Sequence, residues 1–190
     1  MVLAAGASTR MGSPKPALPY GSATMVEAVL NAAVAADLAP VIVVTGFHER
    51  VVVDAVGGSA RVVHNPHPES GNLSSLVVGL DALGEVGGVV VVPADMPGLQ
   101  SEVVAGLADG MGVSGCRGGW VEYADGRGHP IALARSEFDV VRTLAGPRPL
   151  WPFLSSLSEK DAFILHMDTP GPIDVNTPED YESVTRSLGC

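Results

Sequence analysis

The sequence predicts an α/β protein on a single doubly wound, mostly parallel sheet, with an antiparallel hairpin in its second half. Three observations carry this. Apolar runs of strand length alternate with stretches of helical periodicity through the first half, in the order β-α-β-α-β-α-β. One of the runs, Val41–Thr45, is a continuous β-branched segment, as in a parallel strand covered on both faces, and Gly88–Val92 is the strongest strand. Ahead of the first of these, apolar residues such as Met25, Val29, Ala32, Ala33 and Ala36 recur at helical spacing.

Taken in order, Met1–Ala5 is a short first strand and Ala23–Leu38 an amphipathic helix bounded by Pro40. Val41–Thr45 is a strand ended by Gly46, and a helix over His48–Ala55 precedes a strand over Arg61–His64, closed by Asn65-Pro66. A helix over Leu73–Leu83 leads to Gly88–Val92, the strongest strand, which ends in Pro93-Ala94-Asp95-Met96-Pro97. Ser101 is placed to cap the next helix, with Glu102 in its first turn.

The second half changes character. Trp120–Tyr123, the turn Ala124-Asp125-Gly126 and Pro130–Ala134 read as a hairpin, with Gly128-His129-Pro130 opening the return strand. Helices over Ser136–Leu144 and Leu150–Leu157 follow, then a strand over Phe163–Met167. Thr177 is a good cap and Pro178 a good first residue for the C-terminal helix.

At 190 residues the chain suits one domain over 1–190. A formal net charge of -10 argues against a nucleic-acid or anionic-membrane surface, so an anionic small molecule needs a local cationic cluster. Two cysteines, Cys116 and Cys190, make no disulfide framework or zinc spacing, and Cys190 lacks a prenylation context. His64 and His67 flank Asn65-Pro66 without a nearby third metal ligand, and Trp120 and Trp151 read as packing residues. No leader-like or membrane-length apolar run appears, so a cytoplasmic protein is expected.

The local cationic cluster lies in Leu3–Lys15, LAAGASTRMGSPK. A short strand runs into a loop of small residues, where Gly6 is expected to allow the turn. Ala7, Ser8, Thr9 and Gly12 leave room for main-chain N–H groups to approach a polyanion. Arg10 and Lys15 close it. The spacing is neither the dinucleotide fingerprint nor the Walker loop. Because ligands of doubly wound sheets bind at the carboxyl ends of strands, this loop and Asp95 are expected at one edge.

The string resembles the signature L-A-[AG]-G-x-S-x-R-M-G-x-P-K of transferases that load a nucleoside triphosphate onto a phosphorylated acceptor. With Pro93-Ala94-Asp95-Met96-Pro97, Gly128-His129-Pro130 and Asp174-Val175-Asn176-Thr177-Pro178-Glu179-Asp180, it is similar to the MobA-like nucleotidyltransferases, and most similar to molybdenum cofactor cytidylyltransferases. The resemblance implies a Rossmann-like sheet of the GT-A type. It implies that Leu3, Ala4, Ala5, Gly6, Ala7, Ser8, Thr9, Arg10 and Lys15 bind the nucleotide, and that Gly71, Ser74 and Ser75 face its base and sugar. Lys15, Arg10 and Asp95 would be catalytic, Asp95 and Asp174 would hold magnesium, and His129 would contact the acceptor. The implied partners are a nucleoside triphosphate, a phosphorylated acceptor such as molybdopterin, and a molybdoenzyme receiving the product. Ala5 favours CTP, since a methyl there crowds a purine. Asn176, where the family often has Asp, leans toward GTP. Another acceptor, such as 2-phospholactate or a sugar phosphate, and a non-catalytic nucleotide-binding or cofactor-delivery protein are the alternatives.

Overall fold

A computed structural model describes residues 1–146, 148–186 and 188; Cys190 lies outside the described residues. Strands β1 (Val2–Ala4), β2 (Pro19–Tyr20) and β3 (Ala23–Thr24) lead to helix α1 (Met25–Ala35). Then come β4 (Ile42–Thr45), α2 (Glu49–Val56), β5 (Arg61–His64), α3 (Asn72–Ala82), β6 (Gly88–Pro93) and α4 (Ser101–Ser114). The second half carries β7 (Gly118–Tyr123), β8 (Gly126–Ala134), α5 (Phe138–Thr143), α6 (Leu150–Ser155), β9 (Ala162–His166) and α7 (Pro178–Arg186).

The main sheet has seven strands in the order β5-β4-β1-β6-β8-β7-β9. β5, β4, β1 and β6 run parallel, and β9 is parallel to β7. Only β8 is reversed, pairing antiparallel with both β6 and β7. The sequence-based fold class therefore holds: an α/β, mostly parallel, Rossmann-like sheet with an antiparallel hairpin in the second half.

Strand alternation divides the core into two layers. On one face Val2, Ala4, Val43, Val90 and Val92 pack with Val26, Leu30, Val52 and Leu107 from α1, α2 and α4. On the other, Ile42, Val44, Val89 and Val91 pack with Leu76, Leu80, Phe138 and Leu154 from α3, α5 and α6. Double coverage explains why these strands read as unbroken β-branched runs rather than alternating ones.

Three local expectations are corrected, and one element is new. The helix expected over residues 23–38 starts later, because the Thr24 side chain accepts from the Glu27 amide while Glu27 accepts from the Thr24 amide, a reciprocal cap. Residues 19–24 form the ribbon β2-β3, whose two-residue strands are too short to show a period. Ser101 is the first residue of α4, and Gln100 occupies the cap position without a side-chain bond. The return strand of the hairpin starts at Gly126 and inserts beside β6; its pairing jumps from Val121↔Gly128 to Trp120↔Ile131, leaving His129 and Pro130 in a bulge.

The C-terminal cap forms as expected. Thr177 Oγ1 accepts the Asp180 amide at 3.2 Å, and Asp180 Oδ2 accepts the amides of Thr177 at 2.8 Å and Asn176 at 2.9 Å. A small cluster of Met25, Val175 and Val184 with Tyr20 and Tyr181 seats α7 against the ribbon. Among the described residues no helix is long and apolar enough to cross a membrane.

Candidate functional site

The carboxyl ends of β1 and β6 lie side by side, with Ala94 N donating to Leu3 O at 2.9 Å across them. Because β8 runs the other way, its opening residues come to the same edge, which is how His129 joins segments that follow parallel strands. A cavity of about 670 Å³ opens here. It is lined by all of Leu3 to Arg10, by Lys15, Ser75, Asp95, His129, Asp174 and Asn176, and by Asn72, Arg148 and Trp151.

The loop after β1 turns at other residues than the sequence reading places. Gly6 does not take a positive φ; the left-handed positions are Ser8, at φ 53°, and Gly12, at φ 67°. Serine is held in that conformation by its own bonds: Ser8 Oγ accepts the Lys15 amide at 3.0 Å and Ser8 O accepts the Met11 amide at 3.1 Å. His48 Nε2 lies 3.1 Å from Ala7 O and braces the loop from the β4 side. Gly46 there is required by space, since a Cβ would sit 2.8 Å from Ala5 O and 2.7 Å from Pro68 Cβ.

Two cations and two carboxylates meet at the floor. Lys15 Nζ donates to Asp95 Oδ2 at 2.6 Å and Val175 O at 2.8 Å, with Asn176 Oδ1 at 3.4 Å. Arg10 Nη2 donates to Asn176 Oδ1 at 2.6 Å. Burial raises the pKa of Asp174, and the neighbouring Asp95 charge raises it further, while the Asn176 amide and Lys15 pull it down. The crowded carboxylates are a donor set that favours a hard divalent cation.

His129 forms the opposite wall. Its ring meets Trp151 edge to face, centroids 5.4 Å apart at 78°. Tyr123 Oη donates to His129 O at 2.7 Å and pins the bulge. Burial lowers the His129 pKa to about 4 against a weaker opposite pull from Asp174, so the imidazole is neutral at neutral pH.

Most residues named from the sequence come together; two do not. Gly71 and Ser74 stand off the cavity: Ser74 Oγ shares its one proton between Gly71 O at 2.8 Å and His67 O at 3.0 Å and accepts from Asn65 Nδ2 at 2.9 Å, shaping the turn before α3. Asn72 and Leu73 line the cavity in their place. Trp120 is in the core as expected, and Trp151 packs against that core while also lining the cavity. His64 and His67 each face one glutamate, Glu49 at 3.4 Å and Glu69 at 3.3 Å.

A family model for the MobA-like NTP transferase domain matches residues 1–167. The chain belongs to this family. It is accordingly a nucleotidyltransferase by family. Among solved structures, Rv0371c from Mycobacterium tuberculosis H37Rv is 30% identical with a TM-score of 0.88, covering 97% of this chain and 95% of that one. Its homolog from Mycobacterium sp. strain JC1 is 31% identical with a TM-score of 0.87, covering 99% and 94%. A second Rv0371c structure, in complex with manganese, aligns at 28% identity and a TM-score of 0.81, covering 97% and 95%. No curated protein matches the chain significantly.

Proposed function

We propose that this MobA-like transferase moves a nucleoside monophosphate from a triphosphate, CTP in particular, onto the phosphate of molybdopterin or its molybdenum form, releasing pyrophosphate. The observation that carries this reading is the convergence of Arg10, Lys15, Asp95 and Asp174 on one cavity walled by the whole loop from Leu3. An acceptor phosphate oxygen forms the new bond to the α-phosphorus as the bond to the leaving pyrophosphate breaks. The acceptor is already ionised, so no general base is needed, and catalysis rests on alignment and charge.

Loop amides and Arg10 hold the β- and γ-phosphates, and Lys15 neutralises charge that develops at the α-phosphate. Asp95 and Asp174 would hold magnesium or a similar ion; the manganese complex of Rv0371c supports a divalent cation. Held there, such an ion would supply positive charge against the phosphates. The neutral His129 offers a hydrogen bond to the acceptor rather than a charge or a base.

Ala5 supports CTP, since its methyl occupies the cavity wall beside Gly46 and leaves less room than glycine would for a purine. Asn176, which faces Arg10 and Lys15, still leans weakly toward GTP by its resemblance to the guanylyl branch. Thermal shifts with CTP, GTP, UTP and ATP plus magnesium should single out CTP, and selective stabilisation by GTP would reverse that choice. Pyrophosphate release on adding molybdopterin tests the reaction. Tight nucleotide binding with no product from molybdopterin, a sugar phosphate or 2-phospholactate would make the protein a binding module instead.

A further inference from the structure

His48 stands at the cap position of α2, where a serine, threonine, asparagine or aspartate would bond the first free amides of the helix. Its side chain makes no such bond. It reaches instead to the loop after β1, and because a carbonyl only accepts, Nε2 carries the hydrogen that it donates to Ala7 O at 3.1 Å. That is the one hydrogen bond of the His48 side chain among the described residues. Two residues earlier in the loop, Ala5 O accepts the Phe47 amide at 3.5 Å and lies so close to Gly46 that a Cβ there would meet it at 2.8 Å. The segment 46–48 thus holds two alternate carbonyls of the loop. It does so from outside, since Ala5 and Ala7 line the cavity and Gly46, Phe47 and His48 do not.

The peptides that follow these carbonyls are trans, so the N–H groups of Gly6 and Ser8 point the opposite way, away from segment 46–48. Neither amide has an acceptor among the described residues. We propose that His48 is a positioning residue that fixes the Ala7–Ser8 peptide with its N–H turned to the phosphates, an inference that rests on the nucleotidyl-transfer reading of the site. Backbone N–H groups aimed into one concavity bind an anion, and their aim is what has to be held. Serine would not hold it unaided. Ser8 sits at φ 53°, and half a turn of the preceding peptide would return it to the negative φ that L-residues prefer. That rotation would also present Ala7 O, an acceptor, where the phosphates need a donor. The bonds from Ser8 to the Lys15 and Met11 amides act beyond this peptide, whereas the His48 ring acts on its oxygen.

The test follows the full chain as wild type, H48S, H48Q and H48F by thermal unfolding, calorimetry and amide NMR with magnesium tripolyphosphate. Serine is the better cap for α2 but is too short to reach Ala7 O. H48S should therefore unfold at no lower temperature than wild type and yet bind tripolyphosphate about 5- to 30-fold more weakly, the scale of fixing one residue's backbone. H48F, a ring without a donor, should lose as much. Glutamine keeps an N–H near the place of Nε2, so H48Q should bind within about threefold of wild type. In the wild type the Gly6 and Ser8 amide signals should both shift on adding tripolyphosphate. In H48S the Gly6 shift should persist, because Phe47 holds that carbonyl, while the Ser8 shift should shrink. Unchanged binding in H48S and H48F, a loss in H48Q equal to that in H48F, or an unmoved Ser8 amide in a wild type that binds would each overturn the proposal and leave His48 as packing. If H48F does not fold, H48S against H48Q carries the same comparison. A wild type that binds no tripolyphosphate would sink the triphosphate reading itself, and this inference with it.

Discussion

Replacing Lys15 by Met keeps the length and much of the apolar stem and removes only the ammonium. In the wild type the Lys15 side chain is 13% exposed, and its ammonium donates to Asp95, whose side chain is 25% exposed, and to Val175 O. Loss of the bridge leaves Asp95 and Asp174 facing each other without a cation, a partly buried arrangement that should cost about 2 kcal/mol. For a chain of this size that is a fall of about 4–8 °C in Tm. The same variant should lose about 10²- to 10³-fold in kcat, or about 2.7–4 kcal/mol, by analogy with loss of one transition-state donor. Divalent metal should stabilise K15M more than wild type, because no ammonium has to leave Asp95 first. The assays are thermal unfolding with and without magnesium, and pyrophosphate release at saturating nucleotide. Near-normal turnover in a folded K15M would remove Lys15 from the chemistry. A metal response equal to that of wild type would show that Lys15 and the ion do not share Asp95.

Asp174→Asn should abolish metal-dependent turnover while unfolding at the same or a higher temperature at neutral pH, because burial and Asp95 disfavour the ionised carboxyl in the fold; a marked drop in Tm would contradict that. His129 has a folded pKa of about 4 against 6.5 unfolded, so the unfolded chain binds the extra proton between them and stability falls as pH drops through that window. Between pH 7 and 4.5 this contributes about 2–3 kcal/mol, which His129→Asn should remove from the difference in urea-unfolding free energies. Far from the cavity, the buried Glu137 accepts from Arg117 Nε and Nη2, both at 2.8 Å. Arg117→Met should destabilise the fold by leaving the buried Glu137 carboxylate unpaired, and Arg117→Met with Glu137→Met should recover most of the loss; chemical denaturation of the pair reads both.

The sheet was legible because its strands are covered on both faces, so Val41–Thr45 and Gly88–Val92 stand out as apolar runs whatever lies around them. Convergence of the β1 loop with Asp95 followed from the rule that ligands sit at carboxyl ends. Trp151 and Arg148 were hidden because their segment joins the wall through tertiary packing, and no period or cap marks a wall residue. Gly71 and Ser74 were misplaced for a related reason. A Gly and a hydroxyl at a helix start look alike whether they face a ligand or, as here, close the turn on His67 and Asn65. The turn itself moved from Gly6 to Ser8, because two bonds to one serine offset the steric disadvantage of a positive φ.

Charge is what would let a strongly acidic chain accept a polyanion at this edge, as proposed. The full chain carries -10, yet the cavity gathers Arg10, Lys15 and Arg148 against only Asp95 and Asp174. The two carboxylates would repel a bare triphosphate, and in the free protein Lys15 offsets the nearer one. A divalent ion arriving with the nucleotide can take over that duty and free the ammonium for the phosphates, so metal and nucleotide should bind with positive coupling. The coupling is reciprocal: tripolyphosphate should tighten manganese binding by the same factor that manganese tightens tripolyphosphate. In K15M that factor should shrink, because there is no ammonium to hand from one ligand to the other. Titrations in both orders, followed by the manganese paramagnetic signal, measure it, and an unchanged factor in K15M would place the coupling in direct contact between ion and phosphate alone.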